Sequence, residues 1–292
     1  MKYAWIKANT KHFAVAQMCR ILAVSFSGYY ESLKRLPCQQ IIRRENISQS
    51  IARSYFQSNR IYGYRKVHED LLEENINCCS ETVRRIMRDI GFHCRVKRKF
   101  VVTTDSGHSY KIADNILNRN FRADHPNQKW AADITYIPTK SGWLYLAVVM
   151  DLFSRRIVGW SMSKNIDCKL VQNAVKMAIL HRNPDKGLIH HSDRGVQYAA
   201  QDFQDLLYDN DFICSMSRKG NCWDNACVES FFGSLKSEWV KDKKYESYKE
   251  AEIDIFNYIE VFYNRKRRHA SLGNVSPADY EKKHKINLEQ AA

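Results

Sequence analysis

Hydrophobic positions change their period once along the chain. Up to residue 91 they recur at helical spacing. Ile47, Ile51, Tyr55 and Phe56 form one stripe, Val67, Leu71 and Leu72 begin another after Gly63, and Val83, Ile86, Met87 and Ile90 form a third. Ser80 reads as the N-cap of that third helix and Gly91 as its stop. Upstream, Phe13–Leu22 and Phe26–Lys34 read as two short helices joined by Ala23-Val24-Ser25, the spacing of a helix-turn-helix or equally of a plain helical hairpin. From Lys129 the pattern becomes extended. Trp130–Pro138, Trp143–Leu152 and Arg156–Met162 predict a three-stranded meander turned at Gly142. A helix over Leu170–Leu180, a strand over Leu188–His191, a helix over Ala200–Tyr208, a strand over Phe212–Met216 and helices over 221–240 and Tyr248–Tyr263 follow. The expected fold class is α/β, a mixed sheet covered by helices on both faces and preceded by an all-helical region. The expected divisions are a helical segment 1–40, a helix-turn-helix-like domain 41–100, a connector 101–125, a core 126–245, and a C-terminal helix with a basic tail 246–292.

Charge adds a partner to this picture. The 292 residues carry a formal net charge of +14, and residues 1–125 hold 22 Lys+Arg against 11 Asp+Glu. Such an excess suits a polyanion, because Lys and Arg neutralising phosphates supply most nucleic-acid affinity. Arg84, Arg85 and Arg88 cannot all join the core of their helix, which makes it a candidate recognition helix. Lys97, Arg98 and Lys99 in the run that follows are candidates for phosphate contact, as are Arg265, Lys266, Arg267 and Arg268 in the tail. A solvated charged face is the competing reading for each cluster. Nine scattered cysteines with no Cys-x2-Cys pair point to reduced, mostly buried thiols rather than disulfides or a zinc finger. No apolar run approaches a membrane span or a signal sequence, so a soluble, intracellular protein is expected.

Candidate chemistry centres on three acids. The helix over 221–240 has an apolar stripe at Val228, Phe231, Phe232, Leu235 and Trp239 with Glu229 on its edge. At about 100° per residue, Asn225 and Lys236 fall within roughly 40° of Glu229. Asp133 lies mid-strand, where a carboxylate is costly to bury unless paired, hydrogen-bonded or bound to an ion. Asp193 stands just past a strand's carboxyl end, the place where open α/β sheets put ligand crevices. Taken singly, Asp193 reads as a turn or cap residue and Glu229 as a surface acid.

Together they form a known spacing. Thirty-five residues separate Asp193 from Glu229, and Lys236 follows seven after the glutamate. The set resembles the Asp, Asp, 35 residues, Glu signature of retroviral-integrase-like transposases. The segments Trp130-Ala-Ala-Asp-Ile-Thr-Tyr, His191-Ser-Asp-Arg-Gly-Val-Gln-Tyr and Asp224-Asn-Ala-Cys-Val-Glu-Ser-Phe-Phe-Gly-Ser-Leu-Lys resemble the second-frame protein of the IS-three group of bacterial insertion sequences. So do Tyr263 to Tyr280 and Val24-Ser-Phe-Ser-Gly-Tyr-Tyr, and the likeness covers nearly the whole chain.

The resemblance implies an RNase H-like core in which Asp133, Asp193 and Glu229 are catalytic and hold two Mg²⁺ ions, with Mn²⁺ as a substitute. It implies a bacterial cytoplasmic, nucleoid-associated enzyme that binds element ends and target DNA, nicks 3′ ends and joins strands. It also implies a homo-oligomer on DNA, with an upstream-frame protein as fusion or partner. Lys236 is expected near phosphate or metal, or as an exposed lysine. Asn225 is expected to orient Glu229, contact DNA or sit on the surface, and Gln197 and Tyr198 to form a shoulder touching DNA. His190 and His191 are expected to be structural, since histidine suits softer ions than Mg²⁺. The alternatives are a DNA-binding regulator without catalysis and an RNase H-like nuclease or resolvase.

Overall fold

The computed structural model describes residues 2–94, 112–218 and 222–291. Lys97, Arg98 and Lys99 lie outside the described residues.

The helical part opens with α1 (Lys2–Asn9), α2 (Val15–Ile21) and α3 (Phe26–Lys34), which bury Ile6, Met18, Cys19 and Tyr29 in a small core of their own. Then come α4 (Gln39–Gln57), α5 (Tyr64–Glu73) and α6 (Ser80–Asp89). Their stripes are narrower than the hydrophobic pattern predicts. Ile47, Ile51, Tyr55, Val67, Leu71, Val83, Ile86 and Met87 are buried, but Phe56, Leu72 and Ile90 are exposed at the stripe edges. The N-cap of α6 is Cys79, not Ser80: Cys79 holds the extended backbone of a cap, and Ser80 is already helical. Gly91 closes the helix at φ +77° while Phe92 N–H donates to Met87 O.

Five strands form one sheet in the order β3-β2-β1-β4-β5. β1 (Lys129–Thr139), β2 (Gly142–Asp151) and β3 (Ile157–Ser163) are the antiparallel meander, and β4 (Ile189–Ser192) and β5 (Ile213–Met216) add in parallel on the other side of β1. Gly142 turns β1 into β2 at φ +122°, a conformation L side chains rarely adopt. On one face pack α7 (Cys168–Arg182), α8 (Val196–Ala199) and α9 (Gln201–Asp209), against Trp130, Ala132, Ala147 and Val149. At Gly159 a Cβ would stand 2.1 Å from Ala174 O, so only glycine lets α7 lie this close to β3. The opposite face takes α10 (Ala226–Ser234) and α11 (Tyr248–Phe256) against Ala131, Ile137, Leu146 and Val148. Each runs on into a π-helical turn, Leu235–Val240 and Asn257–Tyr263. The sheet is therefore covered on both faces, as the pattern predicts.

The C-terminal segment ties the parts together. Buried Asn264 exchanges two 3.0 Å hydrogen bonds with the backbone of Ile157. The helix α12 (Pro277–Ala291) docks through Glu281, which pairs with Arg156 and Arg182, and Arg182 also reaches buried Asp151. Arg267 and Arg268 correct the sequence reading, because both are buried and serve this assembly. Arg267 grips Glu238 at 2.6 and 2.7 Å, and Arg268 bonds Asp70 and Glu73 of α5 while its backbone N–H donates to Tyr62. Arg265 and Lys266 are exposed beside them. The thiols also differ from expectation. Among the eight described free cysteines only Cys19 is buried, while Cys38, Cys79 and Cys94 are exposed.

Candidate active site

β4 stops at Ser192 while β1 continues to Thr139, where a parallel bridge to Tyr245 meets it, so the middle of β1 extends past the end of β4. The parallel register pairs Ala131 with His191, and carrying it two residues further sets Asp193 beside Asp133. Each aspartate has a backbone donor: Asp133 Oδ1 accepts from Ile134 N–H at 2.8 Å, and Asp193 Oδ1 from Gly195 N–H at 2.9 Å. These bonds do not offset the cost of the site. Burial, then the charge of Asp193, holds the Asp133 carboxyl well above the ordinary carboxylate range; Glu229 pushes the same way, while the Ile134 N–H and Lys236 oppose it. Glu229 sits half-buried on the edge of α10, and burial raises its carboxyl too.

The helix carrying Glu229 is fixed at its start. Asn225 stands at the N-cap position, buried, and its Nδ2 donates to Ala132 O at 3.1 Å, next to Asp133. This overturns the surface and DNA-contacting readings of Asn225, since its amide is enclosed between helix and sheet. Lys236, in the π turn, lies with Nζ 4.4 Å from the Tyr136 ring centroid and near enough to Asp133 to feel its charge. Burial lowers its ammonium pKa, so it is not a plain exposed lysine.

Tyr198 is also corrected. It is 1% exposed, and its hydroxyl finds no hydrogen-bond partner among the described residues. Burial, then the charges of Asp133 and Asp193, raise its pKa well above the ordinary value, and its ring packs against Phe203 inside the protein rather than against DNA. Gln197 is half-buried and bonds Ile166 O. His190 and His191 are fully buried, and burial drives their pKa values down to about 3 and about 4, so both are neutral. His191 lies between the Ser215 and Ser217 hydroxyls, a structural role.

Sequence reasoning missed Asp224. It is fully buried, pairs with Arg119 and Arg218, and accepts from Asn115, joining the connector and the end of β5 to the start of α10. Its hydrogen bonds to Arg218 hold its carboxyl well below the usual range. The signal was present, since an acid five residues before Glu229 falls off the ridge that faces the site.

Among the described residues no three His, Cys, Asp or Glu side chains are gathered closely enough to hold an ion. The site consists of an aspartate pair with a glutamate nearby, not a closed coordination shell.

Family models described as an integrase core domain match residues 123–222 and 229–284, and one described as an HTH-like domain matches 42–100. The chain is 40% identical over 286 residues to the transposase InsF for insertion sequence IS3A of Escherichia coli, covering 97% of this chain and 99% of that protein. The chain belongs to the IS3 transposase family. It is similarly 40% identical over 267 residues to the insertion element IS600 uncharacterized 31 kDa protein of Shigella sonnei, covering 91% of this chain and 98% of that one. A chain of the simian T-cell lymphotropic virus intasome in complex with PP2A regulatory subunit B56 gamma aligns at 15% identity and TM-score 0.47, over 79% of this chain and 74% of that one. In this IS3-family transposase, Arg84, Arg85 and Arg88 lie within the HTH-like match and are all exposed on α6, with Arg84 paired to Glu81. A transposase with an HTH-like domain is a DNA-binding protein, and no described helix is long and apolar enough to cross a membrane.

Proposed function

We propose that the chain cuts and joins DNA at the ends of its element, with Asp133, Asp193 and Glu229 as the catalytic carboxylates and residues 126–245 as the catalytic unit. The observation that carries this reading is the aspartate pair: two carboxylates lie side by side, burial and the charge of Asp193 raising the cost of ionising Asp133, with Lys236 as a nearby cation. Like charges gathered at such cost are explained by a cation that binds there. The donor set fits Mg²⁺ or Mn²⁺, because it offers hard carboxylate oxygens and the buried histidine nearby is engaged by serines. When bound, a pair of such ions would supply Lewis-acid neutralisation of charge at the attacked phosphate.

The chain's own residues do the rest. The Ile134 N–H fixes the Asp133 rotamer, and Asn225 anchors the start of α10 beside it. Glu229 would join the pair as the third acid, and Lys236 offers a cation near Asp133. Both steps are attack by an oxygen on a backbone phosphodiester, first water and then the released 3′-hydroxyl, so one site serves both. Residues 41–100 bind the element's terminal repeats through Arg84, Arg85 and Arg88, with Lys97, Arg98, Lys99, Arg265 and Lys266 as further phosphate contacts. The protein works as a homo-oligomer on DNA, with an upstream-frame protein as fusion or partner.

The test uses duplexes carrying the element's ends with Mg²⁺ or Mn²⁺. Asp133→Asn, Asp193→Asn and Glu229→Gln are each expected to bind these duplexes and leave them intact. Wild-type cutting by one of the three would remove that residue from the site.

A further inference from the structure

A cavity of about 420 Å³ lies where the HTH-like region, the sheet, α10 and the tail meet. Lys66 of α5, Arg155 in the turn between β2 and β3, and Arg267 and Arg268 line it, together with Cys227 and Ser230 of α10; no carboxylate lines it. Arg267 and Arg268 have ion-pair partners, Glu238 and the pair Asp70 and Glu73, which fix them as walls. Arg155 differs. Among the described residues no carboxylate pairs with it, and its described hydrogen bond runs to the Cys227 sulfur, a weak acceptor. Burial holds that thiol above its ordinary value, so it brings no negative charge to the guanidinium. The backbone of Arg155 is held at φ +60°, a left-handed conformation uncommon for arginine.

The cavity is separate from the acidic site. At about 100° per residue, Ser230 and Cys227 stand roughly 100° and 160° around α10 from Glu229, across the stripe that packs on the sheet. One helix therefore presents an acid on one flank and a basic hollow on the other.

We propose that this hollow is a second DNA-backbone site, in which Arg155 and Lys66 bind a phosphodiester away from the acidic site. The cavity has room for a phosphate group, lacks the acids that would repel it, and offers a guanidinium fork, an ammonium and the Ser230 hydroxyl as donors. Because Lys66 belongs to the HTH-like region and Ser230 to α10, a strand held here touches both and fixes the path of DNA between them.

The proposal rests on DNA being the substrate and is tested apart from cutting. Arg155→Asn removes the cation with a residue that tolerates left-handed backbone, and Ser230→Glu adds a negative charge on an exposed position. With the full chain and a labelled duplex of arbitrary sequence, anisotropy titrations across a salt series read the slope of log affinity against log salt. In Arg155→Asn the slope should fall in magnitude by about 0.9, the loss of one neutralised phosphate, with melting temperature unchanged. Ser230→Glu should weaken binding strongly and Ser230→Ala, which loses one neutral donor, only slightly. Slopes and affinities equal to wild type in both folded variants would overturn the site while leaving the transposase reading intact; a wild-type chain that binds no duplex would overturn both. Inorganic phosphate that binds wild type and not Arg155→Asn, with duplex slopes unchanged, would assign the cavity to free phosphate and overturn the DNA assignment.

Discussion

Two clusters of buried charge sit on the same helical segment and behave oppositely. Around Glu238 and Arg267 each charge faces its opposite at hydrogen-bonding distance, 2.6 and 2.7 Å, and both side chains are about nine-tenths buried. Less than three turns away, Glu229 lies near enough to Asp133 that its charge, with burial and the charge of Asp193, raises the cost of ionising Asp133, while Lys236 opposes it. The first cluster is complete without a ligand, so its purpose is to hold the tail on the helix. The second gathers like charges at a cost in ionisation, which we attribute to a ligand that binds there. Whether opposite charges are already matched therefore separates structural ion pairs from chemistry, better than residue type does.

The comparison can be broken by exchanging the consequences of mutation. The largest effects should come from the acids. Asp133→Asn is expected to lower end cutting by on the order of 10³-fold or more and yet raise the melting temperature at neutral pH. The sign follows from the raised pKa of Asp133: stability from this group is full below the unfolded carboxyl value of about 3.9 and is lost as pH rises through the higher folded value. The asparagine variant should therefore gain stability at pH 7 and little at pH 3, read by thermal melts across pH.

Arg267→Ala should do the reverse. It leaves Glu238 buried and unpaired and is expected to cost about 3–5 kcal/mol, measured by urea denaturation, whereas Arg267→Met with Glu238→Leu should recover most of the loss. Arg268→Ala should cost less, about 1.5–3 kcal/mol, because Glu73 is largely solvated; its loss should appear as faster hydrogen exchange in α5. The smallest effect on stability belongs to Arg84, Arg85 and Arg88. Their replacement by alanine should leave melting unchanged while lowering affinity for element ends and its salt dependence, and unchanged binding would remove α6 from the interface.

Much of the fold was legible in the sequence. Alternating aromatic and β-branched residues place β1 to β5 within about two residues of their observed ends, and of the three acids singled out by spacing, the register of β1 and β4 sets Asp133 and Asp193 side by side. What escaped was pairing. A run such as Arg265-Lys266-Arg267-Arg268 reads the same whether its members face DNA or carboxylates 29 and 198 residues away, as Arg267 and Arg268 do. The burial of Asn225 and Tyr198 escaped because nothing local reveals that the helix start and the strand end close over them. The apolar stripe of α10 was readable as a core face, whereas the π turn that begins at Leu235, whose Trp239 packs on Tyr258 and Phe262, has no signal in the local composition.

The central claim is that Asp133, Asp193 and Glu229 act as one site. Its most direct test is the cutting of an end-bearing duplex in Mn²⁺ by the three single variants and by the double variant Asp133→Asn with Glu229→Gln. One site predicts that each single change abolishes cutting with DNA binding intact, and that the double variant is no worse than either single. Cutting at the wild-type rate by Glu229→Gln, or losses that multiply in the double variant, would contradict it.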